Sequence, residues 1–96
     1  KNAKSNLSEI IVWGIGEYAN LLLDNSVTFS DSRVKFFVDS NPHKQGTEFR
    51  KSTVLKPEEI LQHQEPILIA SSFWYHDIYE TLLSFGVIKT GFIQAL

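Results

Sequence analysis

Cysteine and methionine are both absent from these 96 residues. Without cysteine there is no disulfide, no thiolate metal ligand and no thiol nucleophile. The composition fits a cytoplasmic protein. The lack of methionine extends to position 1, where Lys1 stands. The expectation is that residues 1–96 form a single domain excised from a larger multidomain protein. Long apolar runs are also lacking. None approaches the roughly 20 residues that a membrane-spanning helix needs, and no signal peptide is visible. Nor does one sign of charge dominate. Nine Lys and Arg stand against eleven Asp and Glu, a net charge of −2, so bulk charge points to neither nucleic acid nor membrane as a partner.

The chain does carry 43% apolar residues, enough for one core in one small domain. Ile10-Ile11-Val12-Trp13, Val34-Lys35-Phe36-Phe37-Val38 and Ile67-Leu68-Ile69-Ala70 are short, nearly continuous apolar runs. Runs of this kind suit strands buried on both faces, as in a parallel sheet. Glu17 to Asp24 has helix composition with an acid in its first turn. Thr53-Val54-Leu55 suits a short third strand, and the polar stretch 43–52 before it a loop. Pro57-Glu58-Glu59-Ile60-Leu61 has the Pro and acids of a helix start. Tyr75, Ile78, Leu82 and Phe85 form one helical stripe that Gly86 terminates, with Ser72 as its N-cap. A final short strand lies within Val87 to Gln94, and residues 1–8 are a polar, frayed lead-in. The alternation predicts an α/β, three-layer Rossmann-like sandwich. Its parallel sheet has about five strands in the order 3-2-1-4-5.

Gly14-Ile15-Gly16-Glu17-Tyr18-Ala19 matches G-x-G-x-x-G/A between a predicted strand and a predicted helix, the context that motif requires. Gly14 permits the tight turn. Gly16, lacking a Cβ, lets a diphosphate approach the backbone N–H groups at the helix N-terminus. Asp39 ends the second strand, where an acid accepts hydrogen bonds from ribose hydroxyls. A scaffold that keeps this geometry for turning alone is the other reading. Glu17 cuts both ways: its carboxylate would repel a pyrophosphate if it pointed inward, yet it suits the helix dipole if it points out.

Ser71 and Ser72 stand at the end of a central strand, beside the switch point where open α/β sheets bind ligands. Capping would explain them equally well. Neither lies in a G-x-S-x-G elbow. Trp74 falls off the apolar stripe, exposed and able to stack on a base, a sugar or a partner surface. His76, in the first turn of that helix, either touches a ligand as an acid or base or is a surface residue. His43 reads as a loop histidine, and His63 suits a helix end. No metal is expected, because the three histidines lack ligand spacing. Arg33, Lys35, Lys44, Arg50, Lys51 and Lys56 crowd one stretch, either as a solvated face or as a patch that attracts an anion.

The glycine turn, the stretch Asp39-Ser40-Asn41-Pro42-His43-Lys44-Gln45-Gly46 and Ala70-Ser71-Ser72 together resemble the Rossmann-like domain of sugar-modifying enzymes. The resemblance covers about residues 9–90. It is to the C-terminal domain of sugar C-methyltransferases, and also to the N-terminal domain of sugar-nucleotide acyltransferases. It implies a domain that holds a nucleotide-linked sugar while a neighbouring domain of the same chain does the chemistry. The parent would then be a transferase of methyltransferase type. Read from the residues themselves, the expected ligand-binding set is Gly14, Gly16, Glu17, Asp39, Ser71, Ser72, Trp74 and His76, with catalytic residues unassigned. The sequence departs from the C-methyltransferase pattern at Glu17, where small residues are expected, and at Ser72, where a Trp is expected. The same glycines and Asp39 also suit an NAD-binding module, and a degenerate scaffold for domain or subunit contacts is a third reading.

Overall fold

The computed structural model describes residues 9–26, 29–71, 73–86 and 93–94. The lead-in at 1–8, Ser72 and most of the expected final strand lie outside the described residues.

Strand β1 is Ile10–Trp13, and all four residues are buried. A strand with no polar residue needs cover on both faces and neighbours on both edges. It is therefore central, paired in parallel with β2 (Val34–Val38) on one side and β5 (Ile67–Ile69) on the other. Strand β4 (Ser52–Leu55) extends the sheet beyond β2, and β6 (Ile93–Gln94) extends it beyond β5, both in parallel. These five strands stand in the order expected from the sequence.

A sixth strand was not expected. Within the stretch read as a polar loop, β3 (Glu48–Phe49) pairs antiparallel with β4 at the sheet edge, so that the whole order is β3-β4-β2-β1-β5-β6. The two-residue turn between β3 and β4 is Arg50-Lys51, with φ of 50° and 68°. Positive φ at both central positions is what a tight type I′ hairpin demands. Phe49 explains why the hairpin folds back: its ring packs edge-to-face on buried Phe37, with centroids 5.0 Å apart.

The two faces of the sheet take separate helices. Ile11 and Trp13 pack in one cluster with Ile60, Ile78 and Leu82. Ile10 and Val12 pack in the other with Ala19 and Leu23. Helix α1 (Glu17–Asn25) thus covers one face. Helix α2 (Tyr75–Phe85) and a 3-10 helix at Pro57–Gln62 cover the other. The Pro57 segment stops at 3-10 geometry where an α-helix was expected. Along β2, Val34 and Phe37 share the α1 face although they are three apart. The pairing explains it: Ile10 faces Val34 but Ile11 faces Phe36, so Lys35 is skipped as a bulge. Lys35 then turns to solvent and pairs with Glu65 at 2.9 Å.

Helix α2 ends as its sequence predicts. Gly86 has φ of 77°, and its N–H reaches the carbonyls of Leu82 and Leu83. Its start is corrected. The N-cap position is Trp74, not Ser72, and the Trp74 N–H donates to Ser71 Oγ at 3.0 Å. Arg50 ties the hairpin to the α1 side. Its guanidinium donates to Asp31 (2.8 Å), Asp24 (2.8 Å) and Asn20 (2.8 Å).

Candidate functional site

The carboxyl ends of β1, β2 and β5 open into a cleft of about 700 Å³. A crevice at this end of an open parallel sheet is where the architecture leaves room for a ligand, because the chain departs to opposite faces on either side of it.

The floor is Trp13, Gly14 and Ala70. Trp13 was legible only as a strand residue; it is buried in the α2-side core and also lines the cleft. Gly14 has φ of 121°, and a Cβ on it would stand 2.6 Å from the carbonyl oxygen of Ala70. Its N–H donates to Val38 O at 2.9 Å, while Ala70 N–H donates to Trp13 O at 2.9 Å. The turn is thus held between both neighbouring strands.

Gly16 is different. It holds the N-cap position of α1 in extended geometry, φ −135°, with no side chain to cap the helix. A Cβ there would meet nothing within 4 Å. No protein neighbour therefore demands glycine at this position, and the backbone is left open to the cleft. The first intrahelical bond runs from Asn20 N–H to Gly16 O at 3.1 Å. The N–H groups of Glu17, Tyr18 and Ala19 precede it and have no intrahelical acceptor. Glu17 and Tyr18 line the same wall.

Asp39 stands at the mouth of β2, tied in by its N–H to Leu55 O at 3.2 Å. Its carboxylate begins a chain of local turns: Oδ1 accepts from Asn41 N–H at 2.9 Å, and Asn41 Oδ1 accepts from His43 N–H at 2.9 Å. Gln45 closes the loop by donating to Asp39 O at 2.8 Å. The loop 39–46 is therefore built, and it sets Lys44 in the cleft wall. Of the basic stretch noted in the sequence, Lys35 and Arg50 are engaged by acids of this chain, and Lys44 is the basic residue that reaches the cleft.

The third wall comes from the segment after β5 and from α2. Ser71, Phe73, Trp74, Asp77 and Thr81 line it. His76 does not. Its side chain is 82% exposed and its Nε2 lies 3.6 Å from Glu80, one turn on. The place in the cleft wall expected of His76 is taken by Asp77. The link from Ala70 to the start of α2 sets the helix phase so that 77, 78 and 81 face the cleft. The cleft brings together Gly14, Gly16, Glu17, Asp39, Ser71 and Trp74 of the expected set. Ser72 lies outside the described residues. Among the described residues no group of three or more His, Asp or Glu could hold a metal ion, and no helix is long and apolar enough to cross a membrane.

With this geometry in hand, comparison with known proteins gives the family. The C2185-like, N-terminal family matches residues 6–93. The chain belongs to it. No curated protein matches. Among solved structures, this family member is similar to RSP, a Rex-family repressor, at 18% identity over 88% of the chain, with a TM-score of 0.61. It is also similar to UDP-D-quinovosamine 4-dehydrogenase from Vibrio fischeri, at 20% identity over 84% of the chain, with a TM-score of 0.62. A structure of RSP in complex with β-NADH matches at 19% identity over 84% of the chain, with a TM-score of 0.59. The chain spans 44% of the first repressor structure, 74% of the dehydrogenase and 43% of the NADH complex. At these identities the likeness establishes the Rossmann-like fold.

Proposed function

We propose that this domain is a nucleotide-binding module that holds a nucleoside diphosphate sugar for a neighbouring catalytic domain of the same protein. The observation that carries the reading is the joining of Gly16 and Asp39 in one cleft. Gly16 leaves open space beside uncapped helix N–H groups, where phosphate oxygens are favoured. Asp39 stands at the next strand end, where a carboxylate accepts from two ribose hydroxyls. Lys44 adds one positive charge. The built loop 39–46 is the segment that most resembles sugar-modifying enzymes, which supports a transferase of the C-methyltransferase type as the parent. A UDP-sugar dehydrogenase among the structural neighbours favours the same ligand class.

The domain holds its ligand rather than transforming it. The chemistry falls to the neighbouring domain that the resemblance implies.

NAD is the second reading, favoured by the β-NADH complex of RSP. Titrating the chain with nucleoside diphosphate sugars and with NADH, while following backbone amide resonances, separates the two. Shifts at Gly14, Gly16 and Asp39 with sugar nucleotides support the proposal. Shifts with NADH alone select the second reading, and silence at millimolar ligand overturns both.

A further inference from the structure

The wall after β5 carries a feature that a nucleotide cradle does not need. Phe73 and Trp74 are 80% and 57% exposed, and their rings meet edge-to-face with centroids 4.8 Å apart. Large aromatic rings left in water side by side at the rim of a cleft mark a surface kept for contact. Their backbone is held by the Ser71 Oγ bond to the Trp74 N–H, and Trp74 O accepts from Ile78 N–H at 3.0 Å. In the first turn of α2, Asp77 faces the cleft, and no described residue pairs with its carboxylate. Thr81 lies one further turn along the same face, its hydroxyl donating to Asp77 O at 3.0 Å.

The sheet order gives this wall its place along a ligand. Asp39 follows β2, the glycine turn follows β1, and Phe73, Trp74 and Asp77 follow β5, on the far side of β1 from β2. A ligand with its ribose on Asp39 and its phosphates at the glycine turn therefore brings whatever lies beyond the second phosphate to the aromatic pair. An aromatic face and a carboxylate set together suit a pyranose. The ring's C–H face stacks on the aromatic, and its hydroxyls donate to the carboxylate. They do not suit a further phosphate, since a carboxylate there repels it. We propose that Phe73, Trp74 and Asp77 form a subsite for the sugar ring of a nucleoside diphosphate hexose. The subsite rests on the nucleotide reading above, and it assigns the sugar end of that ligand to residues outside the glycine motif.

Comparing UDP-glucose and dTDP-glucose with UDP and dTDP in amide-shift titrations of the chain tests the subsite. The glycosylated ligands are expected to bind about tenfold more tightly than their diphosphates, as stacking plus a charged hydrogen bond implies, and to move the Trp74 indole N–H resonance. Trp74→Ala and Asp77→Asn should each remove most of that increment while UDP binds as before. Both side chains are exposed, so the melting temperature should hold and confirm that the variants are folded. Equal affinity for UDP and UDP-glucose overturns the subsite and leaves the nucleotide reading standing. An equal loss of both ligands in Trp74→Ala also overturns it, because the rings would then touch the nucleotide itself. If neither ligand moves Gly14, Gly16 or Asp39, the nucleotide reading falls and the subsite falls with it.

Discussion

The backbone of Gly14 passes so close to Ala70 that a Cβ on residue 14 would sit 2.6 Å from the Ala70 carbonyl oxygen. The φ of 121° adds strain for any L side chain. That contact is with backbone, which cannot swing away. Gly14→Ala should therefore destabilise the fold by about 2–4 kcal/mol. Gly16→Ala is the contrasting case. Nothing lies within 4 Å and the backbone is extended, so stability should change by less than about 1 kcal/mol. On the proposed reading nucleotide affinity should fall, because a methyl group would intrude on the phosphate position. Chemical denaturation and ligand titration of the two variants check the pair.

On the proposed reading, Asp39 has two duties that substitutions can separate. Its Oδ1 holds the Asn41 N–H, a bond that an asparagine carbonyl can still accept. Asp39→Asn should keep the melting temperature within a few degrees yet weaken nucleotide binding at least about tenfold, as loss of a charged hydrogen bond to ribose implies. Asp39→Ala should lose both the ligand bond and the turn, with a stability cost of about 1 kcal/mol. Thermal melts run beside amide-shift titrations read the two effects independently.

How much of this was written in the sequence depends on the range of the interactions. The central strands were legible because Ile10–Trp13 and Ile67–Ile69 are apolar on both faces, which only a covered parallel strand explains. Helix α2 was legible through a four-residue stripe and a terminal glycine. The β3–β4 hairpin was not, because its turn is Arg50-Lys51 where Asn-Gly would have announced it. The six residues from Pro57 are too few for a period to separate 3-10 from α geometry. In the cleft, Gly14, Gly16 and Asp39 followed from a motif in its strand–turn–helix context. Trp13, Lys44, Phe73 and Asp77 join them only through the fold. The choice of Asp77 over His76 turns on helix phase, which the segment from Ala70 to Trp74 sets and no spacing rule predicts.

Arg50 links segments that sequence reading treats as unrelated, reaching Asn20, Asp24 and Asp31 from the hairpin turn. Its side chain is 18% exposed while Asp24 and Asp31 are about half exposed, so solvent screens part of the attraction. Arg50→Ala should cost about 1–2 kcal/mol, and Arg50→Lys should recover less than half, since a point charge cannot replace the guanidinium fork.

This network and the separate Lys35–Glu65 pair predict an acid dependence. Hydrogen bonding from Arg50 holds the Asp31 carboxyl below its ordinary value, and hydrogen bonding from Lys35 does the same for Glu65. A depressed folded value means the unfolded chain takes up protons first. The stabilisation is therefore complete above the unfolded values, about 3.9 for Asp and 4.3 for Glu. It is lost as pH falls through the lower folded values. Denaturation midpoints should hold near neutrality and drop below about pH 4. In Arg50→Ala the drop should be shallower, because the Asp31 contribution is already gone. Equal acid slopes in the two proteins would remove Arg50 as the cause.

Lys51 offers the reverse experiment, a substitution expected to stabilise. It sits at the second central position of the hairpin turn with φ of 68°, a conformation that costs a lysine but not a glycine. Arg50, the first position, has its side chain committed to the acidic groups across the sheet edge and should be left alone. Lys51 has an exposed side chain, so little is lost when it goes. Lys51→Gly should therefore raise stability by about 0.5–1 kcal/mol, the relief of left-handed strain less the extra chain entropy that glycine gives the unfolded state. Denaturant midpoints at constant m-value measure it. Because the hairpin borders the Asp39–Gly46 loop through the Gly46 N–H to Val54 O bond at 2.7 Å, the same variant should bind nucleotide with unchanged affinity if the turn is relieved without moving the loop.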